Sequence, residues 1–325
     1  MPARSRRRSD ALGPDTLHTG DNLAFMKQLP DGCCDLIYLD PPFFTNQPRR
    51  APAGRKAARK QPRESLTSDS RDRSYDDRWP DGLRGYLAFM LPRVEQCRRL
   101  LPEHGTLYLH ADWRAAHHLR VMLDDLFGAK NFLNEVIWHY RTGGVATRWF
   151  GRKHDTILVY ARRLGRHRFH AQRSGAYRTD GLNHDENGRP YKNTRRGRLY
   201  FHRDGPMLTD VWDIPFLSTV ARERVAWPTQ KPLALLERII QASSNPGERV
   251  ADFFCGSGTT LVAARRLGRH CIGCDLAARA IAITGQRLRA IGAATLPPPP
   301  TEMKAAPAPR RDRPRRPPPS NPRSG

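Results

Sequence analysis

No run of 18 or more apolar residues occurs in this 325-residue chain, which excludes an apolar helix long enough to cross a membrane. Carboxylates are scarce, with 32 Asp and Glu against 56 Lys and Arg, for a formal charge of +24. That balance argues against a basic partner and for a polyanion. Cysteine is scarce too: six residues, at 33, 34, 97, 255, 271 and 274, without the density of a disulfide framework. They read as reduced, buried residues of a cytosolic protein. Cys271-x-x-Cys274 is the one metal-like spacing, but it has no second pair and no His at finger spacing, so core packing is expected. Behind the basic start "MPARSRRRSDALGP" there is no apolar segment, so no secretory signal is expected, and Asp10 weighs against a transit peptide.

The positive charge is concentrated. Residues 1–14 carry +3, residues 47–75 carry +6, residues 141–206 carry +11 and residues 297–325 carry +5, which leaves the remainder near neutral. The Arg- and Pro-rich ends, 1–14 and 297–325, are expected to be disordered tails, and 47–75 a flexible basic insertion. Solubilising tails would account for the two ends. They account poorly for 141–206, which also holds aromatics and strand-like runs and reads as a separate basic lobe.

Between these segments strands and helices alternate. Strands are expected at 16–19, 35–39, 105–110, 134–139, 156–161, 249–254 and 270–274. Helices are expected at 22–29, 82–101, 114–127, 230–243, 259–267 and 277–290. The fold class is therefore α/β: a doubly wound, mostly parallel sheet with helices on both faces. The expected division is a domain in two parts, 15–140 and 207–296, interrupted by the lobe at 141–206.

Two motifs carry chemistry. In "DLIYLDPPFF" (35–44) four apolar residues without polar alternation form a strand buried on both faces, which runs into Asp40, Pro41, Pro42 and Phe43. The prolines fix their own φ, lack N–H donors and force the preceding residue to be extended, so the carboxylate is pinned at the sheet edge. Far along the chain, "ERVADFFCGSGTTLVAARRLGRHCIGCDL" (248–276) reads as strand, Gly-x-Gly turn, helix, strand and acid. Gly256 and Gly258 permit positive φ and close approach of backbone to a ligand, and Thr259 or Thr260 opens the helix. Asp275 stands where a carboxylate accepts from a ribose diol. Leu261 occupies the place of the third glycine of a dinucleotide turn, which lowers the odds of such a cofactor.

Taken together, Asp40-Pro41-Pro42-Phe43 and Phe254-Cys255-Gly256-Ser257-Gly258 resemble the catalytic and cofactor motifs of the amino-group DNA methyltransferases that use S-adenosylmethionine. Catalytic motif first, basic region next and cofactor motif last is the order of the permuted β class. The resemblance implies a Rossmann-like methyltransferase sheet with a target-recognition lobe at 141–206. It implies catalysis by Asp40, Pro41, Pro42 and Phe43. It further implies cofactor contacts from Asp21 in "TGDNL", from Thr229 and Lys231 in "WPTQKPLALLERII", and from Asp252, Phe254, Gly256, Ser257, Gly258, Thr259 and Asp275.

The activity so implied is site-specific transfer of a methyl group to adenine N6 in double-stranded DNA, in the bacterial cytoplasm on the nucleoid. An aspartate at the first motif position goes mostly with adenine. Cytosine N4, an RNA substrate and a basic nucleic-acid-binding protein with a vestigial cofactor site are the alternatives. A partner restriction endonuclease and a homodimer stay open at this point. No metal is implied, and His110, His117 and His118 are assigned no role. Trp138, Tyr140, Trp149 and Phe150 are read as core and lobe packing.

Overall fold

The computed structural model describes residues 13, 15–44, 79–141, 145–175, 177, 181–202, 204–218, 220–225 and 227–292. The expected basic insertion 47–75, the tail 297–325 and, apart from residue 13, the tail 1–14 lie outside the described residues.

In chain order the strands are β1 (Asp15–Thr19), β2 (Leu36–Leu39), β3 (Thr106–Ala111), β4 (Phe132–His139), β5 (His154–Ala161), β6 (Asn183–His184), β7 (Pro190–Thr194), β8 (Gly197–Tyr200), β9 (Val211–Asp213), β10 (Arg249–Asp252) and β11 (His270–Asp275). The helices are α1 (Asn22–Gln28), α2 (Gly82–Leu100), α3 (Ala116–Phe127), α4 (Leu233–Ser243), α5 (Thr259–Arg266) and α6 (Ala278–Ala290). Eight strands form one sheet in the order β1-β11-β10-β2-β3-β5-β4-β9. The first five are mutually parallel, β5 is antiparallel to both its neighbours, and β9 runs parallel to β4.

Alternation along the strands sends successive side chains to opposite faces, and the helices cover both. Ile37, Leu39, Leu107, Leu109 and Tyr160 pack with α1, α2 and α3, whereas Leu36, Tyr38, Tyr108, Ile157 and Val159 pack with α4, α5 and α6. Each helix buries a stripe at helical spacing: Tyr86, Met90, Val94 and Cys97 in α2, and Leu235, Leu236, Ile239 and Ile240 in α4. Cys271 and Cys274 are three apart on one strand and so lie on opposite faces, one in each core, where they cannot share a metal. Both are buried free thiols.

The expected strands and helices are all present. Strand β5, however, lies inside the large sheet with seven of its eight residues buried, so the lobe that was expected to begin at 141 is cut by a core strand. After β5 the chain stays on the main domain, with Arg168 N donating to the His104 carbonyl at 3.0 Å and His170 N to the Ala242 carbonyl at 2.7 Å, and a second sheet follows within residues 183–200. There β6, β7 and β8 form a small antiparallel sheet, in which Arg189 lies over Tyr200 and Arg198 over Tyr191.

The topology fixes where a ligand can sit. Helix α5, which follows β10, packs on one face, and α2, the first described helix after the neighbouring β2, packs on the other. Crossovers that part in this way open a crevice at the carboxyl ends of the two strands.

Candidate active site

Four neighbouring parallel strands end in carboxylates at that crevice. Asp21 follows β1, Asp275 closes β11, Asp252 closes β10 and Asp40 follows β2. In a chain of net charge +24 this acidic row is a local reversal of sign.

Asp40 lies in a cavity of about 480 Å³, lined also by Pro41, Phe43, Trp113, Thr229 and Lys231. Pro42 is half-buried beside it. The Lys231 ammonium donates to Asp40 Oδ2 at 2.5 Å and lies 5.2 Å from the centre of the Phe43 ring. Lys231 is thus brought to the acid of the first motif, away from the Gly turn. The strap that carries it spans both places, because Trp227, four residues earlier, packs its indole against Gly256.

The Gly turn is tightly built. Gly256 and Gly258 have φ of 50° and 75°, and Gly258 in the left-handed region precedes α5 as its N-cap. A Cβ at Gly258 would lie 2.4 Å from Thr284 Cγ2, and one at Gly256 would lie 2.9 Å from Trp227 Nε1. Asp275 spans the turn: its Oδ2 accepts from Gly256 N at 2.8 Å and its Oδ1 from Ala277 N at 2.9 Å. Burial pushes the Asp275 carboxyl up, partly countered by those two N–H donors.

Asp252 is 2% exposed and accepts from the Thr260 hydroxyl at 2.6 Å and from Phe254 N at 3.0 Å. Burial raises its carboxyl to about 7 against those bonds, and the charges of Asp40 and Asp275 add to the rise. This acid shapes the turn from within and offers no exposed surface to a ligand. Ser257 and Thr259 also bury their side chains, and Arg287 donates to the Ser257 carbonyl at 2.7 Å. Phe254 packs against the α2 side of the sheet, 6.2 Å from the Phe89 ring. Asp21 caps α1 through Ala24 N at 2.9 Å and pairs with Arg93 at 2.9 Å, with its side chain still 53% exposed.

Behind Asp40 runs a buried polar chain that the sequence did not disclose. His110, 0% exposed on β3, has Nδ1 2.8 Å from the Tyr38 hydroxyl and 3.8 Å from Asp40 Oδ1. Its Nε2 is 3.1 Å from Asp155 Oδ2, and Asp155 Oδ1 accepts from the Tyr140 hydroxyl at 3.1 Å. Burial pushes the Asp155 carboxyl up, but the His110 bond and charge, followed by Lys231 and Tyr140, outweigh it and leave it below the usual carboxylate range. Tyr38 and Tyr140 are both driven up, by burial first and by the nearby carboxylates second. One signal for His110 was available: it is an ionisable residue next to the carboxyl end of a buried strand, β3, which pairs with β2.

Of the four aromatics expected to pack, Trp138 is fully buried and Tyr140 lines the cavity. The other two depart from expectation: Trp149 is 62% exposed and Phe150 98%. Among the described residues of the segment between β4 and β5, 145–153 belong to no strand. Arg152 links Trp149 to the cavity, with its guanidinium 4.0 Å from the Trp113 ring centre and 5.7 Å from that of Trp149.

Residues 34–286 match the model of a DNA methylase family whose members act on N6 or N4 amino groups. Type II methyltransferase M.HpaI of Haemophilus parainfluenzae is 30% identical over 81% of this chain and 70% of its own length. DNA adenine methyltransferase YhdJ of Escherichia coli K12 is 27% identical over 84% of this chain and 82% of its own. Among solved structures, the PvuII DNA methyltransferase (cytosine-N4-specific) superposes with a TM-score of 0.53 over 84% of this chain and 87% of its own, at 16% identity, a likeness of fold. With more than half of its length matched by the family model, the chain belongs to the N6/N4 DNA methylase family.

Proposed function

We propose that this protein transfers a methyl group from S-adenosylmethionine to N6 of adenine in double-stranded DNA. The observation that carries the reading is that Asp40, Pro41 and Phe43 line one cavity together. An exocyclic amino group is a poor nucleophile because its lone pair is delocalised into the base. Asp40 and the Pro41 carbonyl, each accepting one N–H, draw that nitrogen toward tetrahedral geometry and localise the pair. Phe43 stacks on the base, which has left the duplex to enter the cavity. Orientation supplies much of the rate.

The cofactor fits the crevice chemically. The acidic row of Asp21, Asp275 and Asp40 complements a cation, and Gly256 and Gly258 supply the positive φ of a tight turn whose missing Cβ atoms let Trp227 and Thr284 pack against it. On this reading Asp275 takes the ribose diol, Asp21 the adenine end, and the strap 227–231 the methionine end. When bound, the cofactor supplies an electrophilic methyl group on a sulfonium. Asp40 at the first motif position and the name of the Escherichia coli relative favour adenine over cytosine.

DNA contacts are assigned to the basic surface. The part of 141–206 outside β5 reads the target sequence, and the insertion 47–75 adds phosphate contacts that do not depend on sequence. The test is to incubate the protein with tritiated cofactor and mixed-sequence duplex, digest to nucleosides and separate them. Label in N6-methyldeoxyadenosine is expected, and Asp40→Ala should lose it at least about 10³-fold while cofactor affinity by calorimetry stays put. Label confined to N4-methyldeoxycytidine would overturn the choice of base, and full activity in Asp40→Ala would overturn the mechanism.

A further inference from the structure

Methylating an amino group leaves a proton to be removed. The nitrogen lone pair forms the new N–C bond, the S–C pair returns to sulfur, and the nitrogen holds one hydrogen too many until an N–H bond breaks. In a crevice closed by a cofactor and a stacked base that proton needs a protein acceptor. Asp40 is the first, since it already accepts the N–H. A protonated Asp40 cannot serve a second cycle and no longer pairs as an anion with Lys231, 2.5 Å away.

Behind Asp40 stands a base with a fixed tautomer. Asp155 accepts from the Tyr140 hydroxyl on one oxygen and faces His110 Nε2 on the other, so the imidazole carries its hydrogen on Nε2. That leaves Nδ1 as the basic atom, 2.8 Å from the Tyr38 hydroxyl and 3.8 Å from Asp40 Oδ1. The second distance is longer than a hydrogen bond, as catalytic contacts often are before substrate draws them together. His110 is 0% exposed, so no solvent water competes for that lone pair; the Tyr38 hydroxyl, which donates to it at rest, turns away when Nδ1 takes the proton.

We propose that His110 receives, through Asp40, the proton released by the target amino group. The step rests on the methyltransferase reading. The N–H bond breaks as Asp40 Oδ–H forms; then that O–H breaks as His110 Nδ1–H forms, and Asp40 is again a carboxylate. Charge accounting favours the route. Before transfer, Asp40, Asp155 and Lys231 with a neutral imidazole sum to one negative charge, which matches the sulfonium. Afterwards the sulfonium charge is gone, and an imidazolium lies between two carboxylates in a site of low dielectric. His110 touches the base only through Asp40. Without such a role, a buried imidazole would be an expensive way to fill the space between Trp138 and Phe43, whose rings lie 5.6 and 5.5 Å away.

The test is the single-turnover rate of the full chain on mixed-sequence duplex with labelled cofactor, from roughly pH 5.5 to 9. The groups facing His110 are Tyr38, Asp40 and Asp155, with Tyr140 and Lys231 behind them, so each profile is compared with that of wild type. The wild-type rate should rise with pH to a plateau. His110→Gln should be about 10²-fold slower on the plateau, lose the inflection and bind cofactor and duplex as wild type does. Asp155→Asn should keep the inflection but move it to lower pH, because the anion that favours the imidazolium is gone. A His110→Gln rate within about threefold of wild type, with the same profile, would overturn the relay. Should His110→Gln fail to fold, an unmoved inflection in Asp155→Asn overturns it instead. A wild-type protein that labels no base at all overturns the methyltransferase reading, a separate failure.

Discussion

The ammonium of Lys231 lies 2.5 Å from Oδ2 of Asp40, although 191 residues separate the two in the chain. The pair is mostly shielded, at 11% and 17% side-chain exposure, so each charge depends on the other. It joins the strap before α4 to the carboxyl end of β2 and holds one Asp40 oxygen in a set direction. The other oxygen is turned toward His110, at 3.8 Å.

Lys231→Met keeps most of the side-chain stem and removes the charge. Asp40 then loses its orienting partner, while the Gly turn and Asp275 are untouched. Methyl transfer in a single turnover should fall about 10- to 100-fold, with the dissociation constant for S-adenosylmethionine changed by less than about threefold. Calorimetry beside the rate assay decides the matter. Lost affinity with an unchanged rate would return Lys231 to the cofactor.

Gly258→Ala tests the turn. The residue has φ of 75°, and its new Cβ would meet Thr284 at Cγ2, Oγ1 and Cβ within 2.4 to 2.8 Å. Thr284 is fully buried and donates to the Gly256 carbonyl at 3.1 Å, so it cannot swing aside freely. A destabilisation of about 1–3 kcal/mol is expected, together with weaker cofactor binding. Thermal unfolding with and without S-adenosylmethionine would report both. An unchanged melting temperature would mean that the turn relaxes without cost.

Asp252 should make stability fall as pH rises. Its folded carboxyl, lifted by burial to about 7, keeps a proton that the unfolded chain gives up near an ordinary carboxylate value. The native state therefore binds more protons than the unfolded state between about pH 4 and 7, and stability falls across that window as pH rises. Above the folded value the loss is complete. Asp252→Asn removes the ionisable group and should raise the melting temperature, more at pH 8 than at pH 5. Equal gains at the two pH values would show that the charge is not what matters there.

How much of this was legible depends on whether the signal is local. The core strands and helices could be read because their apolar residues recur with period two or with helical spacing, and β2 because Leu36 to Leu39 show no polar alternation at all. The antiparallel placement of β5 was not legible, since the 14 residues between His139 and His154 fit either direction. Strands β6, β7 and β8 carry mostly exposed polar residues and give no periodic signal. The motifs gave Asp40, Gly256 and Asp275, because turn chemistry and strand ends are written in adjacent residues. Lys231 at Asp40, and His110 between Asp40 and Asp155, arise from packing across the sheet, which no spacing encodes. Trp149 and Phe150 were read as packing from residue type alone, and type does not report exposure.

Those two aromatics lead to the last prediction. Val145, Trp149 and Phe150 are 96%, 62% and 98% exposed, three apolar side chains left in water beside Arg148 and Arg152. Arg152 lines the cavity and stacks on Trp113, so the segment adjoins the opening through which a base would enter. On the DNA reading, the arginines meet phosphate and the rings meet the bases bordering the gap left by the flipped nucleotide. The two contributions separate by salt. Arg152→Ala should weaken duplex binding at low salt and reduce the slope of log affinity against log salt by about one. Phe150→Ala should weaken binding to an intact duplex by about 10-fold at every salt concentration and leave the slope alone. It should cost less on a duplex in which the target base is mismatched, because unstacking is then cheaper. Fluorescence anisotropy over a salt series on both duplexes makes the measurement. Equal losses for Phe150→Ala on matched and mismatched duplex would remove the ring from the opening and leave it a surface contact.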